Sequence, residues 1–503
     1  MNESLPATLA RSGIVGLDDV LGGGFPRGRL YLIQGNPGAG KTTLALQFLL
    51  EGAAQGETGL YVTLSETREE LEAVARSHGI SLEGLSLYEL APHADDLDPE
   101  AEQTVFPTAE VELTEAMSTI LDEVARLKPS RVVFDSLSEI RLLAQGALRY
   151  RRQILALKQH FAGSGCTVLL LDDLTSEPGD QQLQSLAHGV VALEQLPQPY
   201  GTDRRRMRVT KLRGVAFRSG YHDLMIERGG IRVHPRMIAR EHSTPHERDV
   251  VSSGLPALDS MLGGGIERGT SMLLLGPPGT GKSSICSQYV ASAASRGDRG
   301  AIFTFEESCA TLLARADALG SPLRRYIDEG LVTARQINPV ELSPGQFVDA
   351  VRTSIERDGV RVLVIDSLNG YLNSMPEENY LISQLHELFA YLGQHGVVTL
   401  LTMAQHGLMG VNMTSPADAS YLADSVLLLR YFESEGRVRK SIAVVKKRSG
   451  AHEDRIREFR LGSDGIQVGE PLSDFEGVLT GVPRYLGQRG PLMAKQAREA
   501  TEP

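Results

Sequence analysis

The chain has 503 residues, 41% apolar and 23% charged. That length predicts about three domains or two large ones, each able to bury a hydrophobic core, and the composition excludes a mainly disordered chain. With 51 basic against 63 acidic residues the formal net charge is −12, so bulk electrostatics argue against a nucleic-acid partner, and the lack of tryptophan leaves little for base stacking.

From the N-terminus, Met1-Asn2-Glu3-Ser4-Leu5-Pro6 shows no basic start followed by an apolar run, and no stretch approaches membrane-spanning length. The expectation is a cytoplasmic protein without a membrane partner. Cys166, Cys286 and Cys309 are scattered and form no CxxC pair, which reads as free thiols rather than a disulfide framework or a zinc site.

The apolar run Leu30 to Ile33 reads as a strand. It leads into Gly35-Asn36-Pro37-Gly38-Ala39-Gly40-Lys41-Thr42, which fits the phosphate-loop pattern in full and opens a helical pattern. Gly38 and Gly40 let backbone N–H groups turn toward phosphate. The Lys41 ammonium neutralises the β/γ-phosphates, and the Thr42 hydroxyl coordinates Mg²⁺. Thr43 joins them as a nucleotide-binding candidate. Glu66 ends the next strand, Thr63-Leu64-Ser65-Glu66-Thr67, 25 residues past Lys41. A carboxylate there can orient and polarise a water in line with the γ-phosphate. Glu69 to His78 places Leu71, Val74 and Ala75 on one helical face.

The acidic stretch Ala94 to Glu112 reads as a loop with helix around it. Val132-Val133-Phe134 and Val168 to Leu171 read as strands buried on both faces. Asp135 ends the first of these, where a Mg²⁺-coordinating acid belongs. Ser136, directly after it, cannot serve as a base. Arg204-Arg205-Arg206 reads as a solvated turn before a strand, and the polar, proline-containing Ala239 to Asp249 as a linker.

The chain then repeats itself. Ser253 to Lys282 lies on Ser12 to Lys41 without a gap, with sixteen of the thirty positions identical. Gly276-Pro277-Pro278-Gly279-Thr280-Gly281-Lys282-Ser283 is a second complete phosphate loop after the apolar run Met272 to Leu275. Gly279, Thr280, Gly281, Lys282, Ser283 and Ser284 are its nucleotide-binding candidates, with Ser283 also facing the metal. Thr304-Phe305-Glu306-Glu307-Ser308 meets the Glu66 segment and offers two carboxylates, Glu306 and Glu307, where the first copy has one. Val362 to Ile365 reads as a strand ending in Asp366, the second metal candidate, followed by Ser367. Val397 to Leu401 reads as a further strand, and Gln405 beyond it stays outside the candidate set. The division expected is a first domain at 1–245, a second at 246–485 and a tail at 486–503. Alternating strands and helices imply an α/β fold with a mainly parallel sheet flanked by helices in each domain.

The doubled Leu21-Gly22-Gly23-Gly24 and Leu262-Gly263-Gly264-Gly265 entries, both loops and the Thr304-Phe305-Glu306-Glu307 strand end resemble the KaiC family of circadian-clock ATPases, within the RecA/DnaB superfamily. The likeness covers nearly the whole chain. It implies two tandem RecA-like domains, ATP and Mg²⁺ as cofactors, and an ATP-dependent homohexamer with nucleotide between subunits. It further implies residues acting on a neighbour's ATP: Lys211 and Arg213 of Lys211-Leu212-Arg213, and Lys446 and Arg448 of Lys446-Lys447-Arg448. Without the resemblance these read as solvated basic strand edges. The family's adjacent phosphorylated Ser-Thr pair corresponds to Ser420-Tyr421, so Ser420 alone keeps the geometry of the acceptor. The function expected is an ATP-hydrolysing switch with a serine autokinase in the second domain, with KaiB-like or signalling proteins as the outside partners such a switch would have. The alternatives are a DNA-dependent motor of the same superfamily, for which no zinc motif or added DNA-binding module is found, and a scaffold held together by nucleotide.

Overall fold

In a computed structural model, the described residues are 9–90, 108–144, 146–173, 181–198, 200–239, 249–373, 381–405, 421–479 and 484–486. The chain divides into two compact units, Met1–Arg236 and Met237–Pro503. The seam stretch expected at 239–249 falls mostly outside the described residues. Ala239 itself packs into the core of the second unit, beside Met237.

Each unit is built on a nine-stranded sheet. In the first, the order from edge to edge is Gly230–His234, His222–Glu227, Arg204–Leu212, Gly189–Leu196, Leu30–Gly35, Thr167–Asp173, Arg131–Asp135, Gly59–Thr63 and Ser86–Glu89. The run from Gly189–Leu196 to Ser86–Glu89 is parallel and the other three strands are antiparallel additions. The second unit has the same plan: Val332–Gln336, Arg299–Thr304, Val360–Asp366, Val398–Ala404, Ser271–Gly276 and Ser425–Ser434 run parallel. The antiparallel strands Arg437–Lys447, Arg457–Gly462 and Gly465–Pro471 follow. Each is the mainly parallel, helix-flanked sheet that the alternating apolar runs imply, and together they are the two tandem RecA-like domains that the resemblance implies.

The parallel strands are apolar in succession because both their faces are covered. Tyr31, Ile33, Tyr61, Val133 and Leu169 face the helix Lys41–Ala54, which buries Leu44, Phe48 and Leu49 against them. Leu32, Val62, Phe134 and Leu170 face the other way, onto Met117 and Ile120 of Thr108–Leu127 and Ile154 and Leu157 of Ala147–Phe161. At roughly 1.5–3 kcal/mol for each large apolar side chain fully buried, these two layers fix the strand register.

Register then fixes the site. Gly35 lies opposite Asp173, and Thr63 opposite Asp135; in the second unit Gly276 lies opposite Ala404, and Thr304 opposite Asp366. The carboxyl ends of the parallel strands are thus level, and they form the crevice where open α/β sheets bind ligands.

Two expectations shift. The helix expected at 69–78 runs Arg68–Ser77, with Leu71 and Ala75 buried and Val74 half-buried. Arg204 to Arg206 do not form a solvated turn; they are the first residues of the strand Arg204–Leu212. There Arg204 is buried, Arg206 pairs with Glu194 at 2.8 Å, and Arg205 donates to the carbonyl of Gly38.

Candidate functional site

In the first unit the glycines of the loop stand at positive φ, 81° at Gly38 and 104° at Gly40. At Gly38 that φ lies where side-chain-bearing residues are strained, so the turn itself calls for glycine; the atom nearest an added Cβ is the movable Gln195 amide oxygen, at 2.7 Å. The helix Lys41–Ala54 begins directly behind it, presenting backbone N–H groups and the positive end of its dipole to the crevice. Lys41 is buried, and its Nζ donates to the carbonyls of Gly35 and Asn36 and pairs with Asp173 Oδ1 at 2.6 Å. Thr43, next along, is buried.

Thr42 Oγ1 donates to Asp135 Oδ2 at 3.0 Å, and Tyr61 donates its phenol to the same oxygen. Burial pushes the Asp135 carboxyl up despite those two hydrogen bonds. A hydroxyl and a carboxylate in contact at the mouth of a phosphate loop are hard oxygen donors. They fit Mg²⁺, which takes one or two protein ligands and completes its octahedron with water and phosphate oxygens.

Glu66 is placed by two threonines. Thr63 Oγ1 donates to the Glu66 carbonyl at 2.6 Å and accepts from the Glu66 N–H at 3.0 Å, closing a turn at the strand end. Thr67 then caps the helix Arg68–Ser77 through a reciprocal box with Glu70. The Leu64 N–H donates to the Asp135 carbonyl at 2.7 Å and ties this turn to the metal candidate's strand. Glu66 is half-buried, and its Oε2 is buried without a hydrogen-bond partner among the described residues. Burial raises its carboxyl first; the neighbouring carboxylates of Asp135, Glu70 and Asp173 add to this, and Lys41 opposes.

The second unit repeats the turn. Thr304 Oγ1 donates to the Glu307 carbonyl, Ser308 caps the helix Cys309–Ala318, and the Phe305 N–H reaches the Asp366 carbonyl. Gly279 and Gly281 stand at φ 76° and 110°, and Thr280 is fully buried with its hydroxyl donating to the Pro277 carbonyl. Ser284 is buried and Ser283 half-buried at the head of the helix Lys282–Ser295.

The two sites differ in three ways. Lys282 Nζ donates to the carbonyls of Gly276 and Pro277, and the residue level with Asp173 is Ala404. Glu307 pairs with Arg315 and Glu306 accepts from the Ser367 hydroxyl, whereas the position repeating Arg315 in the first unit is Val74. Asp366 accepts from Thr402, not from a tyrosine on the neighbouring strand.

The basic segments lie farther off. Lys211 Nζ donates to the carbonyls of Gln184, Ser185 and Ala187 of its own unit, while Arg213 is exposed. Lys446 donates to the Ala423 carbonyl, and Arg448 is held by Asp424 at 3.1 Å and by the Tyr421 carbonyl. Ser420 lies outside the described residues. Tyr61, Asp173 and Arg315 escaped the sequence reading: no motif marks them, and only strand register or a helical turn brings them to the crevice. The repeat does hold one signal, because Asp173 and Arg315 both stand where the two copies disagree.

The family model for the KaiC ATPase matches residues 10–238 and 251–473. The circadian clock protein KaiC3 of Synechocystis sp. is 27% identical over 487 residues, covering 95% of either chain. The circadian clock oscillator protein KaiC of Synechococcus elongatus is 28% identical over 486 residues, 94% of this chain and 91% of that one. Its counterpart in Prochlorococcus marinus is 27% identical over 489 residues, 94% and 95%.

Proposed function

This chain belongs to the KaiC ATPase family, and from that premise we propose that it binds and hydrolyses ATP at two separate sites, one in each unit. One observation carries the reading. At each phosphate loop a buried lysine and a hydroxyl residue stand at a helix start, level with a strand-end aspartate and tied through a backbone hydrogen bond to a glutamate turn.

Lys41 and Lys282 hold the β/γ-phosphates, with the helix N-termini behind them. Thr42 with Asp135, and Ser283 with Asp366, would hold Mg²⁺, which supplies charge neutralisation to the phosphates when bound. Glu66 accepts the proton of the attacking water as the new oxygen–phosphorus bond forms and the bond to the β-phosphate oxygen breaks. Its raised carboxyl makes it a stronger base than an exposed glutamate. Glu307 is instead tied to Arg315; the steadier hydrolysis is assigned to the first unit, and the Glu306–Glu307 pair serves hydrolysis and phosphotransfer in the second.

By analogy with its family the chain works as a homohexamer with nucleotide between subunits. The exposed Arg213 is then the cation best placed to reach a neighbour's phosphates, together with Lys211, Lys446 and Arg448 once their own-chain contacts are exchanged. In that assembly Ser420 is the acceptor of a serine autokinase.

Two measurements test this. Glu66→Gln and Glu307→Gln should each slow phosphate release, by about a hundredfold at the altered site, with the other site unaffected; unchanged rates refute the roles given to them. Intact mass and peptide mapping after incubation with Mg²⁺-ATP should show one added phosphoryl group at Ser420, absent in Ser420→Ala. Phosphate release without any gain in mass leaves an ATPase whose signal is its nucleotide state.

A further inference from the structure

A lysine ammonium has three protons to donate. Lys41 Nζ uses all three within the protein: 2.8 Å to the Gly35 carbonyl, 3.2 Å to the Asn36 carbonyl and 2.6 Å to Asp173 Oδ1. Lys282 Nζ makes the same two carbonyl bonds, at 2.8 and 2.9 Å, and has no carboxylate partner among the described residues. That leaves one of its protons without a hydrogen-bond partner among the described residues. The difference is set by register: Gly35 sits opposite Asp173, whereas Gly276 sits opposite Ala404.

Asp173 is not a loose surface acid. It ends the strand between the loop-bearing strand and the strand of Asp135, and its other oxygen accepts from Ser138 at 3.3 Å. The residue before it, Asp172, is buried and bonded to Gln34 on the loop-bearing strand and to Arg141, so the strand end is anchored. The second unit has the apolar pair Leu275 and Met403 at those registered positions.

We propose that Asp173 is an affinity-setting residue of the first site, a built-in anion that occupies the loop lysine and that nucleotide phosphate must displace. The second site, with Ala404, has no carboxylate paired directly with its lysine among the described residues. This rests on the reading of Lys41 and Lys282 as the phosphate-binding lysines. A polyphosphate entering the first site must break the Lys41–Asp173 pair and leave a carboxylate beside its own negative charge. Both effects weaken binding, and water reaching the half-buried Asp173 screens them only in part.

The test is nucleotide affinity in the full-length chain, one site at a time. With the second loop silenced by Lys282→Ala, Asp173→Asn keeps the side-chain shape and removes the charge. The dissociation constant for Mg²⁺-ADP should fall about tenfold, equivalent to ~1.4 kcal/mol. In the reverse direction, with the first loop silenced by Lys41→Ala, Ala404→Asp should raise the dissociation constant of the second site by a similar factor. Asp173→Asn binding ADP no more tightly than its parent overturns the proposal. The double variant Lys41→Ala/Lys282→Ala separates the two levels. Loss of binding there upholds the lysine assignment whatever Asp173 does, and retained binding overturns that assignment and this proposal with it.

Discussion

At the residue scale, the duplicated loops are legible because glycine, lysine and hydroxyl at fixed spacing have few other uses. The partners of those residues are not, because they come from strands far apart in sequence. Glu57 shows how much such a partner carries. Its two oxygens take hydrogen bonds from Arg27 and Arg131, and Arg131 is fully buried over the Phe48 ring. Burial works against the Glu57 charge, but the two guanidinium groups outweigh it and hold the carboxyl below its ordinary range. A carboxyl depressed in the folded state adds stability above its unfolded pKa of ~4.3, and that stability is lost as pH falls through the folded value. Glu57→Gln should therefore destabilise the first unit by about 3 kcal/mol near neutrality, since it leaves Arg131 buried without its counter-charge. It should also flatten the acid limb of a stability-versus-pH profile below about pH 4. Denaturant unfolding followed across that range checks both.

At the scale of elements, the glutamate turn depends on a cap more than on propensity. The apolar face alone puts the start of the following helix one residue late, because the Thr67–Glu70 box and not Leu71 or Ala75 sets its first turn. Thr67→Ala should cost about 1 kcal/mol of local stability, seen as roughly fivefold faster amide exchange across Arg68–Ser77. Phosphate release should fall less than in Glu66→Gln, because Thr63 still holds the Glu66 backbone. Unchanged exchange would assign the helix start to packing alone. The strand Arg204–Leu212 teaches the converse: three arginines read as a turn because charge masks a strand in which the consecutive Arg205 and Arg206 find the Gly38 carbonyl and Glu194.

At the scale of the whole molecule, the repeat made the architecture legible twice over, since a motif seen in matched positions of two copies is rarely accident. The same repeat exposes what distinguishes the copies: Asp173 against Ala404, Val74 against Arg315, Ser65 against Glu306. The two matched sites thus differ in the partner of the loop lysine and in the glutamate turn. No helix among the described residues is long and apolar enough to cross a membrane. The most direct measurement is the count of nucleotides bound per chain in Lys41→Ala, Lys282→Ala and the double variant, each with Mg²⁺-ATP. The account predicts that each single variant keeps only the site of its intact unit and that the double variant binds none. Nucleotide retained by the double variant, or lost altogether from either single one, would contradict two independent phosphate-loop sites.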